Sequence, residues 1–139
     1  MAVHEFNIIP RFGELDPYNH VNHAVYVAYF EAARCVALEH IAMALPDLEA
    51  RGIQIVVTQL DVRFKLPATA RDKLLVETEV IEVRRASSRW GQRVLREEDG
   101  AVLVTAEVVA GVCDTNGKPM RPPADLMEAL ATLDRPSEA

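Results

Sequence analysis

From Ala24 to Leu45 the chain runs without glycine or proline and with only Glu31, Arg34 and Glu39 as obligate charges. Such a segment is helical. Pro46 is expected to stop it, because a proline lacks the amide proton and clashes with the preceding turn. Val25, Val27, Ala28, Phe30, Ala32, Ala33, Cys35, Val36, Leu38, Ile41, Met43 and Leu45 spread apolar side chains nearly all the way round. A helix on a protein surface buries a single stripe, so this one asks for cover from several directions. Three charges through its middle and the lack of a second long apolar stretch argue against a membrane span.

On either side of that helix the period changes to two. Val3 to Ile9 reads as an opening strand; Leu60, Val62 and Phe64 alternate with Gln59, Asp61 and Arg63, and Val76, Thr78 and Val80 with Glu77 and Glu79. Val102, Val104, Ala106 and Val108 alternate with Thr105 and Glu107, and Asp99-Gly100 is a hairpin turn signal that makes Gln92 to Arg96 the partner strand. Asn116-Gly117 marks a further turn, and Pro123 to Leu133 reads as a short amphipathic helix before a polar tail from about residue 134. With no repeat and no linker, residues 1–139 are expected to form one domain. The predicted class is α+β, an antiparallel sheet of five or six strands wrapped around one long central helix: the hot-dog arrangement.

The net charge of −6 argues against broad binding to nucleic acid or anionic membrane. Met1 to Pro10 carries His4, Glu5 and Asn7 where a secretory signal would need an apolar run, so a cytoplasmic protein is expected. Cys35 and Cys113 lie far apart in apolar segments and read as reduced, buried thiols.

Candidate chemistry concentrates just ahead of the long helix. In Asp16-Pro17 the proline holds Asp16 extended, so helix cannot begin there. Asn19 or Asn22 can cap the helix beyond it, and a helix so started turns unpaired N–H groups and a partial positive charge toward the carboxylate. A carboxylate beside free N–H donors is half of an acyl-transfer site. A capping role for Asp16 is the plainer alternative. His20 and His23 are three residues apart and invite a metal reading, but no third strong ligand stands at a motif-like spacing, and no metal is expected. Further on, Arg84, Arg85, Arg89, Arg93 and Arg96 form a basic stretch in an acidic chain. Guanidinium forks suit phosphate oxygens, although Glu82, Glu97 and Glu98 would also balance them as a solvated strand end.

The run from Phe12 through Asp16-Pro17-Tyr18-Asn19-His20-Val21-Asn22-His23 to Tyr26 resembles the signature loop and helix start of the 4-hydroxybenzoyl-CoA thioesterase family. His20-Val21-Asn22 and Glu31-Ala32-Ala33-Arg34 are closer to its long-chain acyl-CoA thioesterase branch, and the similarity continues through Pro67 to Asp72 to the last strand. The resemblance implies an acyl-CoA thioesterase with Asp16 as general base or nucleophile and the His23 backbone N–H as oxyanion donor. His20, Asn22 and Tyr26 would lie on the substrate side. Glu14 matches the first acidic position of the loop, and Asn19 stands where glycine is common, which asparagine's tolerance of a left-handed backbone allows. Arg84 and Arg85 match an Arg-Arg pair that contacts the nucleotide end of coenzyme A. Relatives use neither metal nor cofactor, coenzyme A being part of the substrate, and they assemble as homodimers or homotetramers with sites built from two chains. Two other readings stand beside this one: a hot-dog module that binds acyl-CoA without hydrolysing it, and a thioesterase acting on carrier-protein esters.

Overall fold

The computed structural model describes residues 3–133, so the polar tail expected from about residue 134 lies outside the described residues. Five strands form one antiparallel sheet: β1 (His4–Ile8), β2 (Gln54–Phe64), β3 (Leu74–Val83), β4 (Ser87–Arg96) and β5 (Val102–Cys113), in the order β1-β3-β4-β5-β2. Helix α1 (His23–His40) packs on β1 and β3, a short α2 (Leu45–Ala50) leads into β2, and α3 (Ala124–Ala131) lies against β3. This is the hot-dog arrangement of one long helix against a single antiparallel sheet.

Strand periodicity becomes burial directly. Leu74, Val76, Thr78 and Val80 of β3 are buried toward α1, while Leu75, Glu77 and Glu79 between them are half-exposed. Gly100 and Gly117 take φ of 70° and 81°, the left-handed conformations their Asp-Gly and Asn-Gly turns require. The core falls into two groups along α1. One gathers Tyr26, Tyr29, Phe30 and Ala33 on Val76, Val94 and Val104; the other gathers Ala37 and Leu38 on Val80, Trp90 and Val108, closed off by Leu126 and Leu130 of α3. Between them Gln92 donates to the Phe30 carbonyl (2.9 Å) and to Thr78 Oγ1 (3.0 Å) while accepting from Arg34 Nη1 (2.9 Å). That polar knot satisfies its own groups, so burying it costs little.

Three details depart from the sequence reading. First, α1 ends at His40, short of Leu45. Ala42 takes φ 61° and the Met43 N–H reaches back to the Leu38 carbonyl (2.8 Å), a left-handed helix cap built on an alanine, which composition does not announce. Pro46 therefore opens α2 instead of stopping α1, in a first turn where a missing amide proton costs nothing. Second, β4 starts at Ser87, upstream of Gln92, and within it Ser88 accepts the Trp90 indole N–H (2.8 Å).

Third, α1 is not covered all round. Its sheet side is buried, but Ala28 and Ala32 are exposed and Val25, Val27, Cys35 and Val36 only half-buried. One sheet reaches one side of a long helix. The same shortfall appears along β2, where Leu60 and Phe64, expected to face inward, are 39% and 52% exposed and Val56 and Val57 join them. Cys35 and Cys113 are free thiols, each half-buried.

Candidate active site

The loop ahead of α1 is organised by its own backbone. After a 3-10 turn at Phe12–Glu14, Leu15 bridges to Val21, the Asp16 N–H donates to the His20 carbonyl (2.7 Å), and the Asn19 N–H donates to the Asp16 carbonyl (3.0 Å). Closing so tight a turn puts Asn19 at φ 61°, as its side chain permits. Asp16 Oδ1 then accepts the N–H groups of Tyr18 (2.8 Å) and His20 (3.1 Å). Among the described residues Oδ2 has no partner. One oxygen of the carboxylate is anchored and the other is open.

The helix start is equally defined. Asn22 Oδ1 caps the Ala24 N–H (3.0 Å), the Asn22 carbonyl accepts from Val25 (2.9 Å), and the Asn22 N–H donates to the Glu14 carbonyl (2.8 Å). Asn22 is thus engaged in capping. The His23 N–H, first in the helix, meets no acceptor among the described residues, as expected of a first-turn amide that the cap does not reach.

Asp16 and His23 both line a cleft of about 280 Å³, together with His20, Val21, Tyr26 and the segment Phe64 to Pro67. Tyr26 is buried, and its hydroxyl accepts the Ala68 N–H (3.1 Å). Desolvation pushes this phenol above its ordinary value, so it stays protonated. The Val21 N–H donates to the Ala68 carbonyl (2.8 Å) and His20 bridges to Thr69, so the Pro67 to Asp72 loop is stitched to the helix start. Phe64 stands between two rings, edge-on to His23 with centroids 6.2 Å apart and tilted against Tyr26 at 5.9 Å.

Phe64, Lys65, Leu66 and Pro67 are wall residues that sequence reasoning missed. Strand alternation offered Phe64 only as one more core side chain, and its meeting with His23 spans the whole chain between α1 and the end of β2. Pro67, which ends the run of strand-like residues, was the available signal for a loop.

Arg84 and Arg85 are elsewhere. Phe64 pairs with Val104, Val104 with Val94 and Val94 with Val76, which marks the cleft end of the sheet. Arg84 lies eight residues past Val76 at the β3–β4 turn, roughly 26 Å down the strand. There both arginines are exposed, and Arg84 pairs with Glu82 (3.1 Å). Within one chain they do not meet Asp16. Among the described residues no three histidine, cysteine or acidic side chains gather as a metal site, and no helix is long and apolar enough to cross a membrane.

Comparison with known proteins agrees with this fold. Residues 10–130 match the model of the thioesterase-like superfamily. The acyl-CoA thioester hydrolase YbgC of Escherichia coli O6:H1 is 36% identical over 93 residues, covering 67% of this chain and 68% of that protein. The long-chain acyl-CoA thioesterase FadM of Escherichia coli K12 is 29% identical over 99 residues, covering 71% and 74% respectively. Among solved structures, the DHNA-CoA thioesterase of Staphylococcus aureus superposes with a TM-score of 0.87 at 26% identity, covering 96% of this chain and 91% of that one. The chain belongs to the thioesterase-like superfamily. It is a thioester hydrolase of hot-dog fold.

Proposed function

We propose that this thioesterase hydrolyses acyl-CoA esters to free acid and coenzyme A, with Asp16 supplying the reacting carboxylate and the His23 N–H receiving the oxyanion. A thioester carbonyl is weakly stabilised by sulfur, and a thiol of pKa about 8.5 leaves without prior protonation. No Ser-His-Asp set is needed. A carboxylate that deprotonates a water or attacks the carbonyl carbon, with a donor for the developing negative charge, is sufficient. The observation that carries this reading is the half-anchored carboxylate: Oδ1 held by two backbone N–H groups, Oδ2 free, in a cleft shared with the first residue of α1. His20 and Tyr26 belong to the cleft wall, and Asn22 serves the substrate indirectly by holding the helix start.

Thiol release from a panel of acyl-CoA esters tests the assignment, with Asp16→Asn as the comparison. Equal thiol release by the two proteins would overturn the assignment of the chemistry to Asp16. Single turnover in ¹⁸O-water tests the nucleophilic role: label in the Asp16 side chain marks a mixed anhydride opened by water at the aspartyl carbonyl, an intermediate that a general base never forms.

The working unit in this proposal is at least a homodimer. The apolar, exposed β2 is an unpaired sheet edge, which folded proteins cover. Two-fold antiparallel pairing of β2 with a second copy would continue the sheet and bring the β3–β4 turn of that copy to the Asp16 end of this one. Arg84 and Arg85 would then serve the phosphates of coenzyme A in the neighbouring site, which a single chain does not allow.

A further inference from the structure

Glu14 is the acid of the loop that the proposed chemistry leaves unused, yet its carboxylate reaches out of the loop to the body of α1. Tyr29, on α1 and 5% exposed, donates its hydroxyl proton to Glu14 Oε1 at 2.8 Å. The same oxygen accepts the Arg11 N–H at 2.7 Å, and the Glu14 carbonyl accepts the N–H of the cap residue Asn22 at 2.8 Å. Two residues before Asp16, therefore, the loop grips the helix body through a side chain and the helix start through its main chain. Burial, reinforced by the neighbouring carboxylate, pushes the Tyr29 phenol far above its ordinary value, so it remains a donor at any working pH.

We infer that Glu14 and Tyr29 are positioning residues whose hydrogen bond sets the separation between the Asp16 carboxylate and the His23 N–H. The inference rests on the catalytic role proposed for Asp16. Asp16 is anchored to its own loop, through Tyr18 and His20, whereas the oxyanion donor rides on α1. Something must hold the two bodies in register. The Asn22 bond does so at the helix start, and the Tyr29 bond does so from the second turn of α1, where it resists rocking of the loop against the helix. Small displacements between reacting groups cost rate steeply, with 1 Å worth about a hundredfold, while substrate held mainly by other contacts would bind almost as before.

Tyr29→Phe removes one oxygen from a buried ring. The expected result is a kcat lowered about tenfold, with KM changed less than about twofold. Glu14→Gln keeps the accepting oxygen and should retain most of the turnover, Glu14→Ala should match Tyr29→Phe, and the double variant Glu14→Ala/Tyr29→Phe should be no slower than either single one. If Tyr29→Phe does not fold, the contrast between Glu14→Gln and Glu14→Ala carries the test. Unchanged kcat in Tyr29→Phe, losses in KM alone, or fully additive losses would overturn the inference. Asp16→Asn is assayed beside them: full activity there overturns the reading of the site itself, whereas an inactive Asp16→Asn beside a fully active Tyr29→Phe overturns the positioning role alone.

Discussion

The acid loop and the β2 edge lie on the same cleft, since Asp16 and Phe64 both line it, but they are completed differently. The loop closes on itself: every backbone N–H from Glu14 to Asn22 finds an acceptor within the loop or on Ala68, Pro17 having none to offer. The β2 edge does not, and leaves Val56, Val57, Leu60 and Phe64 in water. One chain suffices to hold the groups proposed to react. The wall opposite them needs something more.

The largest expected effect tests the self-sufficient half. Asp16→Asn keeps the shape and can still accept the Tyr18 and His20 N–H groups, so folding should survive while kcat falls about 10²–10⁴-fold, read by thiol release. Next comes the incomplete half. Leu60→Asp adds a charge to the exposed strand, and if a second copy covers that edge, burying an unpaired carboxylate there should cost about 3–5 kcal/mol and shift the mass measured by light scattering toward that of one chain. An unchanged mass would show that β2 is not the joint.

A smaller effect asks whether the two halves meet. Arg84→Ala should raise KM about tenfold, roughly 1.4 kcal/mol, for a coenzyme A ester while leaving the KM for a short pantetheine ester unchanged. Equal effects on both esters would detach Arg84 from the nucleotide. The smallest concerns the helix start: Asn22→Ala removes the cap and should lower stability by about 1 kcal/mol, read in a denaturant titration, with kcat falling as the first turn frays.

Much of this molecule was legible in its residues, though unevenly. Stretches of β2, β3 and β5 followed from period two and the turns at Gly100 and Gly117 from Asp-Gly and Asn-Gly pairs, which are local signals, whereas the starts of β2 at Gln54 and of β4 at Ser87 did not. Asn19 at φ 61° was likewise foreshadowed by its residue type. The end of α1 was not, because an alanine was forced into the left-handed cap by the chain's need to turn into α2, and alanine there looks like any helical alanine. Arg84 and Arg85 were legible as a cationic pair but not as one standing at the far end of the sheet, since strand order and register come from long-range pairing.

The sequence by itself determined the periodicities, the turn chemistry and a carboxylate set before a capped helix, because each depends on neighbours within a few residues. Only the tertiary structure decided that Phe64 faces His23, that Tyr29 holds Glu14, and that β2 ends the sheet with an apolar edge uncovered. Those are meetings of residues far apart along the chain, selected by packing of the whole sheet against one helix, and no local pattern encodes which distant partner wins.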